Sequence, residues 1–508
     1  MAQPEQAYRV QRNEKVGRYV VAARALAAGA EVLREKAVAV GPKIDSPPVC
    51  LGCYSPADET TPLCPRCGWP ACSDDCAAAP DHALNECKVF ADAGVRFQPP
   101  ENWWEPCPQL ECITPLRVLL EGERDPQRWK DEVSQMEAHN DIRRETPAWA
   151  ANQTNVVDFL RSSCKLDRFS EEQIHSVCGY LEVNAFELRA AGGSSLLRGL
   201  YPQMGLLSHR CVPNTTHSIC TTESAPGARD QYRLIVRTLV PVAEGAELVT
   251  SYTHALEPTL IRREQLLRGK HFACDCARCA DPTELGTNLS TLKCSKCDNG
   301  WVLPTDPLDA VARWKCSLCE FATPGTAVRK VLAVIRAELD EADALDGGWA
   351  DAGAVERREQ LWRKYRSVLH PKHALICQLR HSLLHLYGRA EGYTLPELPD
   401  LLLERKVELA KDLLSVADVL KPGCSRLRGT VLYEQHAPLL LLARSQFEQG
   451  VSDERQLRRG MEAAAKALRE SADILLLEPP DTAEGALGAV AKESLAQLEA
   501  SIATLPSD

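Results

Sequence analysis

The sequence predicts an α+β multidomain protein, in which β segments and metal-binding segments come first and helices follow. A chain of 508 residues is too long for one hydrophobic core, so several domains are expected. Most of the 22 cysteines fall between Cys50 and Cys319, and only Cys377 and Cys424 lie beyond them. From residue 325 onwards, apolar residues recur with the period of an α-helix.

The composition is that of a soluble globular protein, with 44% apolar and 25% charged residues. The sequence has no run of about 18 apolar residues, so no membrane span is expected. The charged N-terminal stretch lacks the apolar core of a secretory signal. We therefore expect an intracellular protein of the nucleus and cytoplasm, whose thiols stay reduced. The net charge of −11 disfavours direct nucleic-acid binding and favours a basic protein tail as partner.

The first cysteine cluster is the segment CLGCYSPADETTPLCPRCGWPACSDDCAAAPDHALNEC. A CxxC pair places both thiolates on one tight turn, so each pair enters a metal site as a unit. Buried structural cysteines are the alternative, but eight candidate ligands within about 40 positions favour two tetrahedral zinc sites. A lone histidine is often a surface or core residue, yet His82 stands where an eighth ligand is needed. The candidate ligands are Cys50, Cys53, Cys64, Cys67, Cys72, Cys76, His82 and Cys87.

Two further clusters raise the expected number of zinc sites to about four. CDCARC supplies Cys274, Cys276 and Cys279, one thiolate short of a closed structural site, so a fourth must come from elsewhere in the chain. The pairs CSKC and CSLC form a complete zinc ribbon. Its ligands are Cys294, Cys297, Cys316 and Cys319.

Two segments that flank the clusters have similar sequences. ARALAAGAEVL (23–33) and VRTLVPVAEGAELVTSY (236–252) both join a strand-like apolar run to a glycine-containing turn and further strand residues. This pattern predicts two β-hairpins.

Helical patterns fill the rest of the chain. SEEQIHSVCGYL predicts a helix with Ser170 as N-cap and Gln173 as its capping-box partner. Its apolar face comprises Ile174, Val177, Cys178 and Leu181. In the C-terminal part, one face comprises Leu403, Val407, Ala410 and Leu414, and another Met461, Ala465, Leu468, Ala472 and Leu475. Stacked antiparallel helices are expected there, either similar to TPR repeats or as a plain bundle.

The first cluster resembles a MYND zinc finger, a family in which the ligand pairs interleave. The resemblance implies that Cys50, Cys53, Cys72 and Cys76 hold one zinc, and that Cys64, Cys67, His82 and Cys87 hold the other. The finger usually has three residues between the histidine and the last cysteine, whereas this chain has four, Ala83 to Glu86. The local helix register is therefore expected to differ.

The order of the remaining motifs resembles a SET domain. These motifs are GRYVVAARALAAGAEVL, VNAF, SHRCVPN, GAELVTSY and CDCARC. With the inserted finger, the chain resembles the SMYD family of protein-lysine methyltransferases. The ribbon preceded by DPTELGT is most like the arthropod branch called SmydA. The implied domains are 1–48 SET N-terminal part, 49–87 MYND finger, 88–180 helical SET insert, 181–254 SET core, 255–284 post-SET zinc region, 285–322 zinc ribbon and 325–508 C-terminal helical TPR-like domain.

The resemblance also implies the roles of individual residues. SHRCVPN is expected to cross the strand that ends at Tyr252, and Cys211 to complete the zinc site of Cys274, Cys276 and Cys279. Tyr252 matches the catalytic tyrosine, although a strand tyrosine is more often only packing. The implied contacts of S-adenosylmethionine are Gly17, Arg18, Tyr19, Asn184, Ser208, His209 and Phe272.

Two departures from the family motifs bear on cofactor binding. The first loop usually has GxG, whereas KVGRY has one glycine, and the NHSC motif here begins with Ser208 and has Arg210 at its third position. Serine offers one short hydroxyl where asparagine offers a donor and an acceptor. Losing such a contact costs about 1–3 kcal/mol, so weaker cofactor binding is expected.

Two functional hypotheses follow. The first is an active lysine methyltransferase acting on a histone or non-histone protein with a lysine tail. The second is a catalytically weak or inactive scaffold or transcriptional co-repressor, which binds proline-rich peptides through the finger. DNA binding by the finger is disfavoured, because Arg66 and Lys88 are the only arginine and lysine in residues 50–88. The chain is expected to be a monomer without membrane contact.

Overall fold

A computed structural model describes residues 6–14, 16–190, 193, 195–221, 232–346 and 352–506. The chain forms two compact units whose segments alternate along the sequence. The first comprises Met1–Ala23, Glu31–Ser208 and His217–Arg237, and the second comprises Arg24–Ala30, His209–Thr216 and Thr238–Asp508. The architecture mixes short sheets with helices and ends in a helical region, as the sequence predicts.

The strands of the first unit form small antiparallel sheets. β1 and β2 make a hairpin, β3 pairs with β9 in the order β3-β9-β8, and β4, β6 and β5 form a third sheet. The strands from β1 to β9 are Tyr8–Asn13, Gly17–Ala22, Glu31–Glu35, Val40–Pro42, Phe186–Arg189, Leu196–Gly199, Ser208–His209, Thr215–Cys220 and Arg233–Thr238. β7, β8 and β9 each cross a boundary between the two units.

The helices of the first unit belong to the finger and to the insert that follows it. α1 to α8 are Asp74–Ala78, Pro80–Ala83, Glu86–Ala93, Ile113–Arg124, Pro126–Asp131, Asn140–Arg143, Pro147–Asn152 and Glu171–Asn184. A π-helical stretch, Gln153–Ser163, follows α7 directly. Short 3-10 turns lie at Pro108–Cys112, Val133–Gln135 and Met204–Leu206. Apolar side chains of the insert helices share one hydrophobic core with the finger. In this core Trp69 stacks on Phe90 at 4.4 Å between ring centroids.

The N-cap and the apolar face predicted for α8 are confirmed, but within this described helix the Gln173 side chain makes no capping-box hydrogen bond. The Ser170 hydroxyl accepts the Gln173 backbone N–H at 3.1 Å, which satisfies one of the donors that a helix N-terminus leaves unpaired. The four residues of the predicted apolar face are all buried. Ser170 thus sets where the helix begins, and the apolar period sets which face packs.

The second unit contains a short strand, the ribbon sheet and the C-terminal helices. β10 is Val249–Thr250, and β11 to β14 (Leu292–Lys293, Trp301–Pro304, Arg313–Cys316, Ala322–Pro324) pair in sequential order. α9 and α10 are Thr259–Lys270 and Ala277–Ala280. α11 to α17 are Gly325–Asp346, Ala352–Tyr365, Ala374–Leu386, Asp400–Leu420, Arg426–Glu448, Glu454–Leu475 and Ala483–Ala503, with a 3-10 turn at Leu395–Glu397.

The C-terminal helices pack against their sequence neighbours, as expected for stacked antiparallel helices. The predicted faces of α14 and α16 are buried, except that Leu414 is only half-buried. Both the TPR-like arrangement and the plain bundle are compatible with these contacts. No helix in the described part of the chain is long and apolar enough to cross a membrane.

The prediction of two local β-hairpins is wrong. The two similar segments pair with each other instead, since β3 pairs with β9, and Leu26 and Val242 exchange backbone hydrogen bonds of 2.9 Å. Each segment supplies a strand whose apolar residues are buried, so its pairing is set by tertiary burial rather than by the nearest turn.

Candidate active site and metal centres

The structure brings the sixteen predicted metal ligands together as four separate tetrads. Within each tetrad the ligand atoms all lie within 4.8 Å of one another. The four sets are those that the sequence analysis implies: Cys50, Cys53, Cys72 and Cys76; Cys64, Cys67, His82 and Cys87; Cys211, Cys274, Cys276 and Cys279; Cys294, Cys297, Cys316 and Cys319.

The distances within the tetrads fit zinc. Sulfur atoms 2.3 Å from a tetrahedral zinc lie about 3.8 Å apart. Neighbouring sulfurs are 3.5 Å apart for Cys53 and Cys72 and 3.7 Å for Cys294 and Cys319. A disulfide would require about 2 Å, and all the cysteines are free. The structure is therefore compatible with four zinc ions.

The unusual spacing in the finger is absorbed between two short helices. His82 lies in α2 and Cys87 in α3, and the helical path breaks at Asn85, whose φ and ψ are −110° and −112°. The break leaves His82 Nε2 3.6 Å from Cys67 Sγ, and Cys64 Sγ 3.8 Å from Cys87 Sγ. The extra residue thus changes the helix register without displacing the ligands.

A buried carboxylate supports the histidine of the finger. Glu86 Oε1 lies 2.9 Å from His82 Nδ1, and Arg117 Nε donates to Glu86 Oε2 at 2.8 Å. Burial alone would raise the pKa of Glu86, but Arg117 and His82 outweigh it and hold the pKa below its usual value. A carboxylate on the second nitrogen of a metal-ligating histidine fixes the orientation of the ring. Arg117 also donates to the carbonyls of Val40 and Leu51.

The third tetrad, called here the post-SET cluster (Cys211, Cys274, Cys276 and Cys279), lies against buried charges. Arg262 Nε is 3.3 Å from Cys211 Sγ, and its Nη2 is 3.5 Å from Cys279 Sγ. Its Nη1 donates at 2.7 Å to Glu284, which also accepts from Arg278 at 2.9 Å. Four thiolates around one Zn²⁺ carry a net charge of −2, so a guanidinium beside the sulfurs offsets charge that burial would otherwise penalise.

The fourth tetrad, the ribbon cluster (Cys294, Cys297, Cys316 and Cys319), is half-exposed at every ligand. Its sulfurs accept backbone N–H groups instead of buried side chains. Lys296 N donates to Cys294 Sγ, and Leu318 N donates to Cys316 Sγ, both at 3.3 Å. The ribbon cluster is therefore built from two local turns.

The rings of His209 and Phe272 lie near the candidate catalytic tyrosine, Tyr252. Within the second unit the ring of Tyr252 lies 5.2 Å from that of His209 and 6.5 Å from that of Phe272, measured between centroids. His209 Nδ1 accepts the Tyr252 backbone N–H at 3.0 Å. The Nζ atom of Lys270 lies 5.6 Å from the centre of the Tyr252 ring. Three residues predicted from separate motifs thus meet at one place.

The Tyr252 hydroxyl is protonated at neutral pH. Burial raises its pKa to about 12, although 37% of the residue surface is exposed. The two observations agree on the protonation state, because a fully exposed tyrosine titrates near 10. Burial also lowers the pKa of Lys270. The Lys270 amine therefore loses its proton more readily than that of a free lysine.

The motif SHRCVPN meets the strand that leads to Tyr252, as expected. Arg210 N donates to the Thr250 carbonyl at 2.9 Å, and Asn214 N donates to the Val249 carbonyl at 3.2 Å. Asn214 Oδ1 accepts the Val249 N–H at 2.8 Å. Asn214 thus fixes the crossing through both its backbone and its side chain.

The remaining cofactor candidates divide between the two units. In the first, Arg18 donates to the Gln135 carbonyl at 2.9 Å and Asn184 donates to the Glu137 carbonyl at 3.1 Å, so the same segment holds both. Gly17 adopts a φ of +71°, which favours glycine, and a Cβ added there would meet no atom within 4 Å. The first unit holds Gly17, Arg18, Tyr19, Asn184 and Ser208, and the second holds His209 and Phe272.

Sequence reasoning missed the buried charges beside the metal clusters. Arg262, Arg278 and Glu284 are each no more than 1% exposed, although such residues are ordinarily at the surface. The same is true of Glu86, which lies in α3 and reaches His82 of α2 across the break at Asn85, so helical spacing alone did not predict this pair. His217 is half-buried, with its ring 5.2 Å from that of Phe186.

Comparison with known proteins identifies the family. No family profile matches the chain. It is 32% identical over 326 residues to isoform A of the SET domain-containing protein SmydA-8 of Drosophila melanogaster, covering 62% of this chain and 65% of the relative. Isoform B is 31% identical, with 64% and 69% covered. The N-lysine methyltransferase SMYD2-B of Danio rerio is 30% identical over 209 residues, with 39% and 42% covered.

Among solved structures, the SET domain of LSMT bound to lysine and AdoHcy aligns with 99% of this chain and 88% of its own, at 12% identity. Its TM-score of 0.29 is too low to support any argument about the fold.

Four Cys/His tetrads and a tyrosine held beside the NHSC-like motif define a zinc-bearing SET and MYND protein. The chain belongs to the SMYD family and is SmydA-like. It spans slightly under two thirds of SmydA-8 isoform A and slightly over two thirds of isoform B.

Proposed function

We propose that this protein is an S-adenosylmethionine-dependent protein-lysine N-methyltransferase that acts on a histone or non-histone protein. The observation that carries the proposal is the group of Tyr252, His209 and Phe272, in which a protonated phenol lies beside two aromatic rings. The lowered pKa of Lys270 beside the same ring supports it, because a substrate lysine must be neutral to have a nucleophilic lone pair.

In this proposal Tyr252 positions the substrate amine through its hydroxyl, and Phe272 forms an apolar wall that excludes water. S-adenosylmethionine, when bound, supplies a methyl group activated on a sulfonium. Arg18 and Asn184 offer charge and amide groups held by backbone carbonyls, and a Cβ added at Gly17, next to Arg18 in the chain, would meet open space. These groups suit the carboxylate and polar atoms of the cofactor.

The first test is calorimetric titration of the zinc-loaded protein with S-adenosylmethionine, followed by methyl transfer to histones and other basic proteins. Replacing Tyr252 by Phe keeps the ring and removes the hydroxyl. We expect the transfer rate to fall about 100-fold or more, with cofactor affinity unchanged within about threefold. No cofactor binding at millimolar concentration would exclude the proposal.

A second candidate function is that of a scaffold with little or no catalysis, acting as a transcriptional co-repressor. The departure at Ser208 favours it, and so does the surface of the finger, where Leu63 is 45% exposed beside Cys64. Exposed apolar side chains suit proline-rich peptides, which bind apolar grooves in an extended conformation.

Two variants separate these functions. If catalysis is limited only by the short serine, Ser208→Asn should raise the cofactor affinity about tenfold. If the finger recruits partners, Cys72→Ser should abolish capture of proline-rich peptides while leaving cofactor binding unchanged. Peptide capture that survives loss of the finger's zinc would exclude the scaffold function in this form.

The basic substrate proposed here follows from charge. A protein of net charge −11 favours a basic lysine-containing tail as substrate. We propose a monomer present in nucleus and cytoplasm, which light scattering and imaging of the fluorescently tagged chain would test.

A further inference from the structure

His209 lies between a metal ligand and the candidate catalytic tyrosine. Its Nδ1 accepts the backbone N–H of Tyr252 at 3.0 Å, and its Nε2 lies 3.3 Å from the sulfur of Cys211. All three residues belong to the second unit. One imidazole ring therefore connects the post-SET cluster to the place where the chain presents its phenol.

The two contacts fix the tautomer of the ring. A backbone N–H can only donate, so Nδ1 must present its lone pair to Tyr252. The neutral ring then carries its proton on Nε2, which points at Cys211 Sγ. A thiolate, the form that zinc requires, is the better acceptor for that proton. The ring thus serves the tyrosine and the metal ligand at once, with no conflict between its two nitrogens.

The backbone segments that carry Tyr252 and His209 are joined to each other by hydrogen bonds. Tyr252 follows β10, which ends at Thr250, so its N–H lies beyond the end of the strand. Arg210 N donates to the Thr250 carbonyl at 2.9 Å, which fixes the residue after His209. The ring of His209 therefore supplies the acceptor for the Tyr252 N–H, which lies beyond the end of the strand.

We propose that His209 is a positioning residue that couples zinc occupancy of the post-SET cluster to the placement of Tyr252. The proposal deepens the methyltransferase function above and rests on it for its biological meaning. Loss of the zinc releases the Cys211 sulfur from its fixed position, which removes the positioned acceptor of Nε2 and loosens the ring. The Tyr252 backbone then loses the acceptor that holds it. The metal cluster thereby acts on the active site as well as on the fold.

Packing alone is the competing explanation, because the ring of His209 also lies 5.9 Å from that of Phe272. Three variants separate the two. His209→Asn leaves an acceptor near the place of Nδ1 but is too short to reach Cys211. His209→Gln leaves a donor near the place of Nε2 but no acceptor for Tyr252. His209→Phe keeps an aromatic ring and removes both hydrogen bonds.

The experiment measures exchange of the Tyr252 amide hydrogen by fragmentation mass spectrometry, and loss of zinc to a chelator by native mass spectrometry. Neither readout requires catalysis. We expect His209→Gln to speed Tyr252 amide exchange about tenfold with zinc loss nearly unchanged, and His209→Asn to speed the loss of one zinc about tenfold with exchange nearly unchanged. His209→Phe should show both changes, with unfolding monitored by circular dichroism.

The wild-type protein gives the decisive measurement, since it needs no substitution. Removing the post-SET zinc should speed Tyr252 exchange in wild type and add little in His209→Gln, where the coupling is already broken. Unchanged exchange at Tyr252 after zinc removal, or a His209→Phe protein that matches wild type in both readouts, would overturn the proposal. Absence of methyl transfer with these couplings intact would instead reject the proposed function and leave the coupling standing.

Discussion

The post-SET cluster and the ribbon cluster each comprise four cysteines, but their surroundings differ. In the post-SET cluster three of the four ligands are buried, and Arg262 and His209 contact the sulfurs. In the ribbon cluster all four ligands are half-exposed, and backbone N–H groups contact the sulfurs. Four cysteines can therefore form either a buried site that joins distant segments or an exposed site within one local segment. A buried cluster needs side chains that compensate its charge, and it joins distant segments, whereas an exposed cluster needs only its own turns and solvent.

The largest effect that would test this difference is loss of one ligand. Cys211→Ser should release one zinc and lower the free energy of unfolding by about 3–5 kcal/mol, because Cys211 joins a distant segment to the cluster and its loss leaves Arg262 with one partner sulfur instead of two. Cys294→Ser should also release one zinc but unfold only the ribbon. Zinc counting by native mass spectrometry and urea unfolding measure both. An unchanged zinc count in Cys211→Ser would contradict the assignment of that ligand.

The next effect concerns the buried guanidinium. Arg262→Met keeps much of the side-chain volume and removes the charge, which leaves Glu284 and two sulfurs short of donors. We expect a loss of about 3 kcal/mol in unfolding free energy, because breaking a buried pair leaves an uncompensated charge.

Lys315→Met in β13 is the matched control, since Lys315 is an exposed residue beside a ligand of the ribbon cluster. It should change stability by less than about 0.5 kcal/mol. Equal effects of the two substitutions would show that burial does not distinguish the clusters.

The finger provides an intermediate case, with one buried carboxylate behind a histidine ligand. Glu86→Gln keeps the shape but weakens the hold on His82 and leaves Arg117 without its anion. We expect zinc affinity at that site to fall about 10- to 100-fold. Competition with a fluorescent chelator measures it, and Asp92→Asn, an exposed change in the same helix, serves as control.

The smallest expected effect is a pH dependence of the ribbon's support. His370 packs its ring on Trp301 of the ribbon at 4.5 Å between centroids. Burial, with Lys372, Lys293 and Arg380 nearby, lowers the pKa of His370 to about 4. In the unfolded chain the pKa of His370 is near 6.5, so between pH 4 and pH 6.5 the unfolded state binds more protons than the folded state. The contribution to stability is full above pH 6.5 and is lost as the pH falls through 4.

Allowing for solvent screening of a half-exposed ring, wild type should lose about 1 kcal/mol relative to His370→Asn between pH 7.5 and pH 5. Asparagine retains an acceptor for the Lys372 N–H, which His370 Nδ1 accepts at 3.0 Å. Urea unfolding of both proteins across this range measures the difference. Parallel pH profiles would show that His370 does not support the ribbon.

The sequence by itself determined the features that depend on local spacing and period. Closely spaced ligands such as Cys294 and Cys297 share one turn, so the pairs could be read directly. Ser170 marked the start of α8, and the apolar period predicted the buried face of α16. The family resemblance supplied the pairing of Cys211 with a cluster more than sixty positions away, which spacing alone left open.

Only the tertiary structure decided which distant groups meet. Burial placed Arg262, Arg278 and Glu284 beside the post-SET cluster, and Glu86 behind His82, although charged residues are ordinarily exposed. It also paired β3 with β9 rather than with a local neighbour. The bridge from Cys211 through His209 to Tyr252 depends on two distances of about 3 Å that no local pattern encodes. Long-range contacts follow from how buried surfaces fit together, and the residues that make them carry no periodic signal.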